Sequence, residues 1–155
     1  MNFSIKRIYS TAFNDPKLLA ELKHLDQYFP FPWSEQAWSM LGDNSAHHLG
    51  FVLYQHERTI GFCLYGLNPD QVAHLYKIIV HPDFRRQGLS RRLFDSSLKE
   101  LMALAFHSIF LEVEADNLAA NNLYTSLGFK KLHTAKNFYG QGRHANKMML
   151  EILNT

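Results

Sequence analysis

The chain has 155 residues, 46% hydrophobic and 19% charged, which suits one compact domain over residues 1–155 able to bury roughly 68–70% of its unfolded surface. Its one cysteine, Cys63, excludes an internal disulfide framework and a cysteine-based zinc cluster and fits a reducing compartment. The formal net charge of +2, with Lys and Arg mostly interspersed among Asp and Glu, argues against a nucleic-acid partner.

Met1-Asn2-Phe3-Ser4-Ile5-Lys6 lacks the basic-then-apolar layout of a signal peptide, and no apolar run approaches the roughly 20 residues that span a bilayer. A soluble, cytoplasmic protein with no membrane partner is expected. Phe3 to Ile8 reads as a strand, and Asp15-Pro16 as a cap followed by proline at the first helical position. Leu18, Leu19, Leu22 and Leu25 continue that helix. The prolines in Phe29-Pro30-Phe31-Pro32-Trp33 end it, and Ser34 caps a short second helix through Trp38 and Leu41. Leu49 to Gln55 and Thr59 to Leu67 flank the polar His56-Glu57-Arg58 as an antiparallel hairpin; Asn68-Pro69-Asp70 turns into a third strand, Val72 to Val80. Leu93, Phe94, Leu98, Leu101, Met102 and Ala105 mark one face of a long helix, followed by a strand from Ser108 to Glu114. A helix with Ala120, Leu123, Tyr124 and Leu127 on one face, the breaker Gly128, and two strands around Gly140-Gln141-Gly142 complete the chain. The order βα(α)βββαβαββ predicts an α/β domain with a mixed sheet.

The densest basic stretch, Arg85-Arg86-Gln87-Gly88-Leu89-Ser90-Arg91-Arg92, lies between the third strand of that group and the long helix. A strand, a glycine loop and a helix N-terminus with unpaired N–H donors make an anion site, and four arginines suit a diphosphate; a solvated basic face is the plainer alternative. The pattern is neither a Walker loop nor a dinucleotide fingerprint.

Arg85-Arg86-Gln87-Gly88-Leu89-Ser90 resembles the Gln/Arg-x-x-Gly-x-Gly/Ala motif of the GNAT (Gcn5-related) N-acetyltransferases, with Ser90 in place of the last Gly or Ala. Phe110-Leu111-Glu112-Val113-Glu114-Ala115-Asp116-Asn117, then Ala120, Asn121 and Leu123 to Phe129, together with Phe31-Pro32-Trp33-Ser34-Glu35, resemble the RimI-like, ribosomal-protein-alanine branch of that family. The resemblance implies the GNAT fold, a mixed and mostly antiparallel sheet of six to seven strands flanked by about four helices. It implies acetyl-CoA as co-substrate, held by Ile78, Ile79 and Val80 along the pantetheine arm, by Arg85, Arg86, Gln87, Gly88, Leu89, Ser90 and Arg91 around the phosphates, and by Asn117. It also implies Glu112 as base acting through a water, Tyr124 as the acid that protonates the coenzyme's sulfur, and Trp33 and Tyr139 on the acceptor side.

An α-amine has a pKa of about 7.7–8.0 and a lysine amine about 10.4, so a protein N-terminus needs less help from a base. A carboxylate whose pKa is raised by partial burial is the expected state of Glu112. Taken without the resemblance, Glu112, Glu114 and Asp116 alternate as the wet face of an edge strand would, Tyr124 reads as a core tyrosine, and Asn117 as an ordinary turn residue. No metal is expected, because Asn117 stands where an EF-hand loop needs its glycine. The remaining histidines, His74 among them, form no recognisable pattern, and Cys63 between Phe62 and Leu64 reads as a packing residue.

Asn137-Phe138-Tyr139 resembles the family's Asn-Tyr-Tyr segment, but the acidic residues usual just beyond it are replaced by Gly142-Arg143-His144-Ala145-Asn146. Three readings follow: an acetyltransferase for a protein N-terminus, by resemblance the alanine of a ribosomal protein; an acetyltransferase for a lysine side chain or a small amine; and a coenzyme A-binding module without turnover.

Overall fold

The computed structural model describes residues 2–42 and 47–152. Local signals set the element ends. Strand β1 (Phe3–Tyr9) and a 3-10 turn lead to Asp15, whose Oδ1 accepts from the Lys17 N–H at 3.0 Å and starts helix α1 (Pro16–Asp26). The Ser34 hydroxyl accepts from the Ala37 N–H at 3.2 Å and starts α2 (Glu35–Ser39). Strands β2 (His47–Gln55), β3 (Arg58–Leu67) and β4 (Val72–Val80) follow as a meander. Then come α3 (Leu89–Ala103), β5 (Ser108–Glu114), α4 (Leu118–Ser126), β6 (Lys130–Gly140) and β7 (Arg143–Glu151).

The seven strands form one sheet in the order β1-β2-β3-β4-β5-β7-β6, antiparallel at every pairing except β4 with β5. Helices cover both faces, so β2 and β3 are buried on both sides and read as nearly continuous apolar runs. Leu18, Leu22 and Leu25 of α1 and Trp38 of α2 pack with Val52, Phe62, Leu64 and Ile79 on one face. Leu93, Phe94 and Leu101 of α3, with Tyr124 and Leu127 of α4, pack with Phe51, Leu53, Tyr65 and Val113 on the other.

One irregularity positions everything that follows. Leu64 pairs with Lys77 but Tyr65 pairs with Leu75, so β4 carries an extra, unpaired residue, Tyr76. A bulge of this kind bends its strand and increases the local twist. The parallel pairing of β4 with β5 runs from Val72–Ser108 to His74–Phe110 and stops there. Beyond it the two strands fork, leaving β4 from Leu75 onward and β5 from Leu111 onward with facing edges that do not pair.

Gly66 of β3 makes the bulge possible, because a Cβ there would lie 2.7 Å from the Cζ of Tyr76 and closer still to its hydroxyl. Gly66→Ala is expected to destabilise the protein by about 1–3 kcal/mol through overpacking. The same change in a Tyr76→Leu background should cost less than half as much, as read from denaturant midpoints.

Candidate active site

The loop leaving β4 is built by local bonds. His81 accepts the Asp83 N–H on its Nδ1 at 3.1 Å, a 3-10 turn (Pro82–Phe84) follows, and Arg86 and Gly88 adopt left-handed backbone at φ 62° and 70°. Left-handed geometry is costly for arginine, and strain at a loop of this kind marks a place where the backbone is required to point its N–H groups in a set direction. Gly88 precedes α3, whose first turn has no side-chain cap; the first intrahelical bond is from Arg92 N–H to the Gly88 carbonyl at 3.1 Å. A Cβ at Gly88 would meet nothing within 4 Å, so its φ demands glycine while the space above stays open. Open space over uncapped N–H donors at a helix start fits a diphosphate.

The side chains around this loop divide. Arg86, Gln87 and Gly88 are exposed and Ser90 is half-buried. The Arg85 guanidinium lies 5.5 Å from the centre of the Phe29 ring, and Arg91 Nη2 donates to the Ser126 carbonyl at 2.8 Å, linking α3 to the end of α4. The Leu89 side chain is in the core, which leaves only its backbone for a ligand. Ile78, Ile79 and Val80 pair with Cys63, Phe62 and Gly61 of β3 on one side, and their other edge lines the fork.

At the vertex of the fork stands Glu112. Its Oε2 lies 2.5 Å from Nε2 of His74, the last residue of β4 to pair with β5. Burial pushes the carboxyl pKa up, but the hydrogen bond and charge of His74, with the ammonium of its cross-strand neighbour Lys147, outweigh burial and hold it below the ordinary carboxylate range. The expectation of a raised pKa is therefore reversed, because the fold that buries the carboxyl also sets the His74 ring and the Lys147 ammonium beside it. The wet edge-strand reading is overturned for Glu112 and Glu114, whereas Asp116 lies beyond the strand and is exposed. Strand β5 lies between β4 and β7, and Glu114 is buried in an ion pair with Arg143.

Tyr124 projects from α4 into the core, and burial, with Tyr139 and Cys63 nearby, pushes its hydroxyl well above the usual phenol range. The Tyr139 hydroxyl is pushed up to about 12 by burial and by the charges of Glu112 and Glu114, against the opposing Arg143. Tyr139 is thus within electrostatic reach of both Glu112 and Tyr124, and both phenols keep their protons at neutral pH. Burial likewise drives the Cys63 thiol to about 12, which suits a packing residue and not a nucleophile.

Asn117 uses its Oδ1 to accept the Ala120 N–H at 3.2 Å, capping α4, so its side-chain amide donors are what remain for a ligand. Asn121 donates to the carbonyls of Glu114 and Asn117 and accepts from Asn146, tying α4 to the ends of β5 and β7. Trp33 is fixed through Asp26, fully buried, which accepts the Trp33 N–H at 2.8 Å and the Lys77 ammonium at 2.6 Å. The Trp33 ring meets Tyr76, and Tyr76 meets His74, so this loop reaches the Glu112 end of the fork through edge-on ring contacts.

Two side chains escaped the sequence reading, His74 and Arg143. The only local sign of His74 is that it and Lys77 interrupt a largely apolar strand. Arg143 was visible only as a departure from the family's acidic pattern. Among the described residues, no cluster of three His, Cys, Asp or Glu side chains has the arrangement of a metal site, and no helix is long and apolar enough to cross a membrane.

Comparison with known proteins agrees with this geometry. The family profile of the acetyltransferase (GNAT) family matches residues 17–129. The [ribosomal protein bS18]-alanine N-acetyltransferase of Escherichia coli K12 is 36% identical over 117 residues, 75% of this chain and 77% of that protein. The crystal structure of the Escherichia coli ribosomal-protein-S18-alanine N-acetyltransferase superposes with a TM-score of 0.81 at 30% identity, covering 99% of this chain and 96% of that one. Arabidopsis thaliana NAA60, solved with a bisubstrate analogue, has a TM-score of 0.79 at 15% identity over 99% of this chain and 100% of its own, a likeness of fold. With the forked β4–β5 pair, the glycine loop and the profile match spanning most of its length, the chain belongs to the GNAT acetyltransferase family.

Proposed function

We propose that the protein is a cytoplasmic, acetyl-CoA-dependent N-acetyltransferase that acts on the N-terminal α-amine of a protein, with the amino-terminal alanine of a ribosomal protein as the first candidate. The observation that carries the reading is Glu112, held ionised at the vertex of an open fork whose far end is an anion-ready helix start. The relatives named for acetylating a ribosomal-protein alanine support the choice of acceptor.

The residues divide the work by their protonation states. Acetyl-CoA supplies the activated thioester. The free edge of Ile78 to Val80 offers backbone groups to an extended arm, and the N–H groups at Gly88 to Ser90 suit its diphosphate. Glu112, ionised, accepts a hydrogen bond from the acceptor amine and takes its proton, directly or through a water, once attack on the carbonyl has made the nitrogen strongly acidic. Tyr124, protonated, donates to the leaving sulfur. Because Glu112 takes the proton only after attack, the amine has to arrive neutral. At neutral pH an α-amine of pKa about 7.7–8.0 is neutral far more often than a lysine amine of about 10.4, which favours a chain terminus over a lysine side chain.

A peptide panel differing only in its first residue, with an internal-lysine control, should give highest kcat/KM for Ala-starting peptides. Turnover confined to lysine or to polyamines would select the small-amine or lysine reading, and none on any amine the coenzyme A-binding module. Tyr124→Phe should lower kcat about 100-fold or more with acetyl-CoA affinity little changed, in steady-state and calorimetric measurements. In His74→Ala, burial loses its main opponent, so the Glu112 carboxyl should titrate at higher pH than in the wild type, as read by carbon NMR of labelled glutamate.

A further inference from the structure

The hairpin that departs from the family's acidic pattern holds a contact linking three separate parts of the chain. Arg143, at the start of β7, directs its Nε to Glu114 Oε1 at 3.1 Å, and its Nη2 reaches the same oxygen. Its Nη1 donates to the Tyr139 carbonyl at 3.5 Å, and the guanidinium carbon lies 5.6 Å from the centre of the Tyr139 ring and 5.0 Å from that of Phe31.

Phe31 is the unusual partner. It is 45% exposed, at φ 61°, between Pro30 and Pro32 in the loop joining α1 to α2. That loop is pinned on both sides of it: the Phe29 N–H donates to the Asp26 carbonyl at 3.2 Å and the Trp33 N–H to the Asp26 carboxylate at 2.8 Å. The result is a stiff tip whose aromatic ring faces the guanidinium. Glu114 follows Glu112 by two residues and so shares its face of β5. The contact therefore lies just beyond the candidate base, between the α1–α2 loop on one side and the β6–β7 hairpin on the other.

Resting on the acetyltransferase reading above, we infer that Arg143 is a positioning residue for the acceptor: anchored on Glu114, it clamps the Phe31 loop and the Tyr139 hairpin together across the acceptor end of the fork. A planar guanidinium can hold a carboxylate by its edge while its faces meet aromatic rings, which a lysine ammonium cannot. The clamp fixes the width of the passage that the acceptor chain occupies behind its amine. It does not touch the acetyl-CoA half of the fork, so its loss should weaken acceptor binding without weakening the co-substrate.

The test compares the full-length wild type with Arg143→Gln, Arg143→Lys, Phe31→Ala and the Phe31→Ala/Arg143→Gln double variant. Steady-state kinetics use the best acceptor peptide of the wild type, and amide hydrogen exchange follows Phe31 and Trp33. Arg143→Gln and Phe31→Ala should each raise the acceptor KM about tenfold, with kcat and the acetyl-CoA KM within about twofold. The double variant should be no worse than the weaker single, because both changes break one contact. Arg143→Lys, which keeps an ion pair but not the stacked fork, should fall between. Phe31→Ala keeps the buried Glu114 paired, so it serves if Arg143→Gln fails to fold. Exchange at Phe31 and Trp33 should quicken in both single variants without any acceptor present, which tests the clamp even if the wild type acetylates no protein N-terminus. Unchanged acceptor KM in Phe31→Ala, additive effects in the double variant, or unchanged exchange would overturn the inference.

Discussion

Strand β4 holds on to β5 for three residues and then lets go, and the rest of the site depends on that release. The cause lies in one extra residue: Tyr76 has no partner in β3, so β4 bends just after His74, and Gly66 leaves room for the Tyr76 ring. A regular parallel pair would have satisfied its own backbone groups and left no edge for a ligand. Here two edges face each other across a cleft, with the start of α3 at one end and Glu112 with His74 at the other. The same bulge sends the Tyr76 ring towards Trp33, linking the α1–α2 loop to the site.

Electrostatics then decides what the cleft can do. Three carboxylates around it are paired with basic side chains from other elements: Asp26 with Lys77, Glu112 with His74, and Glu114 with Arg143. Burial alone would push such carboxyls towards neutrality. For Glu112 the partners win, and the group stays ionised, an acceptor of protons and hydrogen bonds. Tyr124 has no such cation beside it and the Arg143 charge does not offset burial at Tyr139, so both phenols are pushed up and Tyr124 remains a donor. A carboxyl and a phenol already differ in intrinsic acidity, and their neighbours widen that gap, so one group accepts a proton and the other donates one at the same pH.

Much of the fold was legible because it is written in local signals. Asp15-Pro16 and Ser34 cap helices where the sequence put them, the Ser108–Glu114 strand has its expected ends, and the two apolar runs of β2 and β3 reflect a sheet buried on both faces. The glycine loop was legible for the same reason, since a left-handed residue at a strand–helix junction has a short-range signature. The charge state of Glu112 was not. Periodicity put Glu112 among alternating acids, as on the wet face of an edge strand, and gave no sign of its partners: His74 is 38 residues away and Lys147 lies on a different hairpin.

By itself, then, the sequence determined the order and ends of the elements and the glycine loop between β4 and α3, because caps, turns and hydrophobic periods act over a few residues. Tertiary structure alone decided which strands part, which cation meets each carboxylate, and that Arg143 joins Phe31 to Tyr139 over Glu114. Those outcomes depend on a one-residue register shift and on contacts between residues tens of positions apart. No local pattern encodes such contacts; only the packing of both sheet faces brings them about.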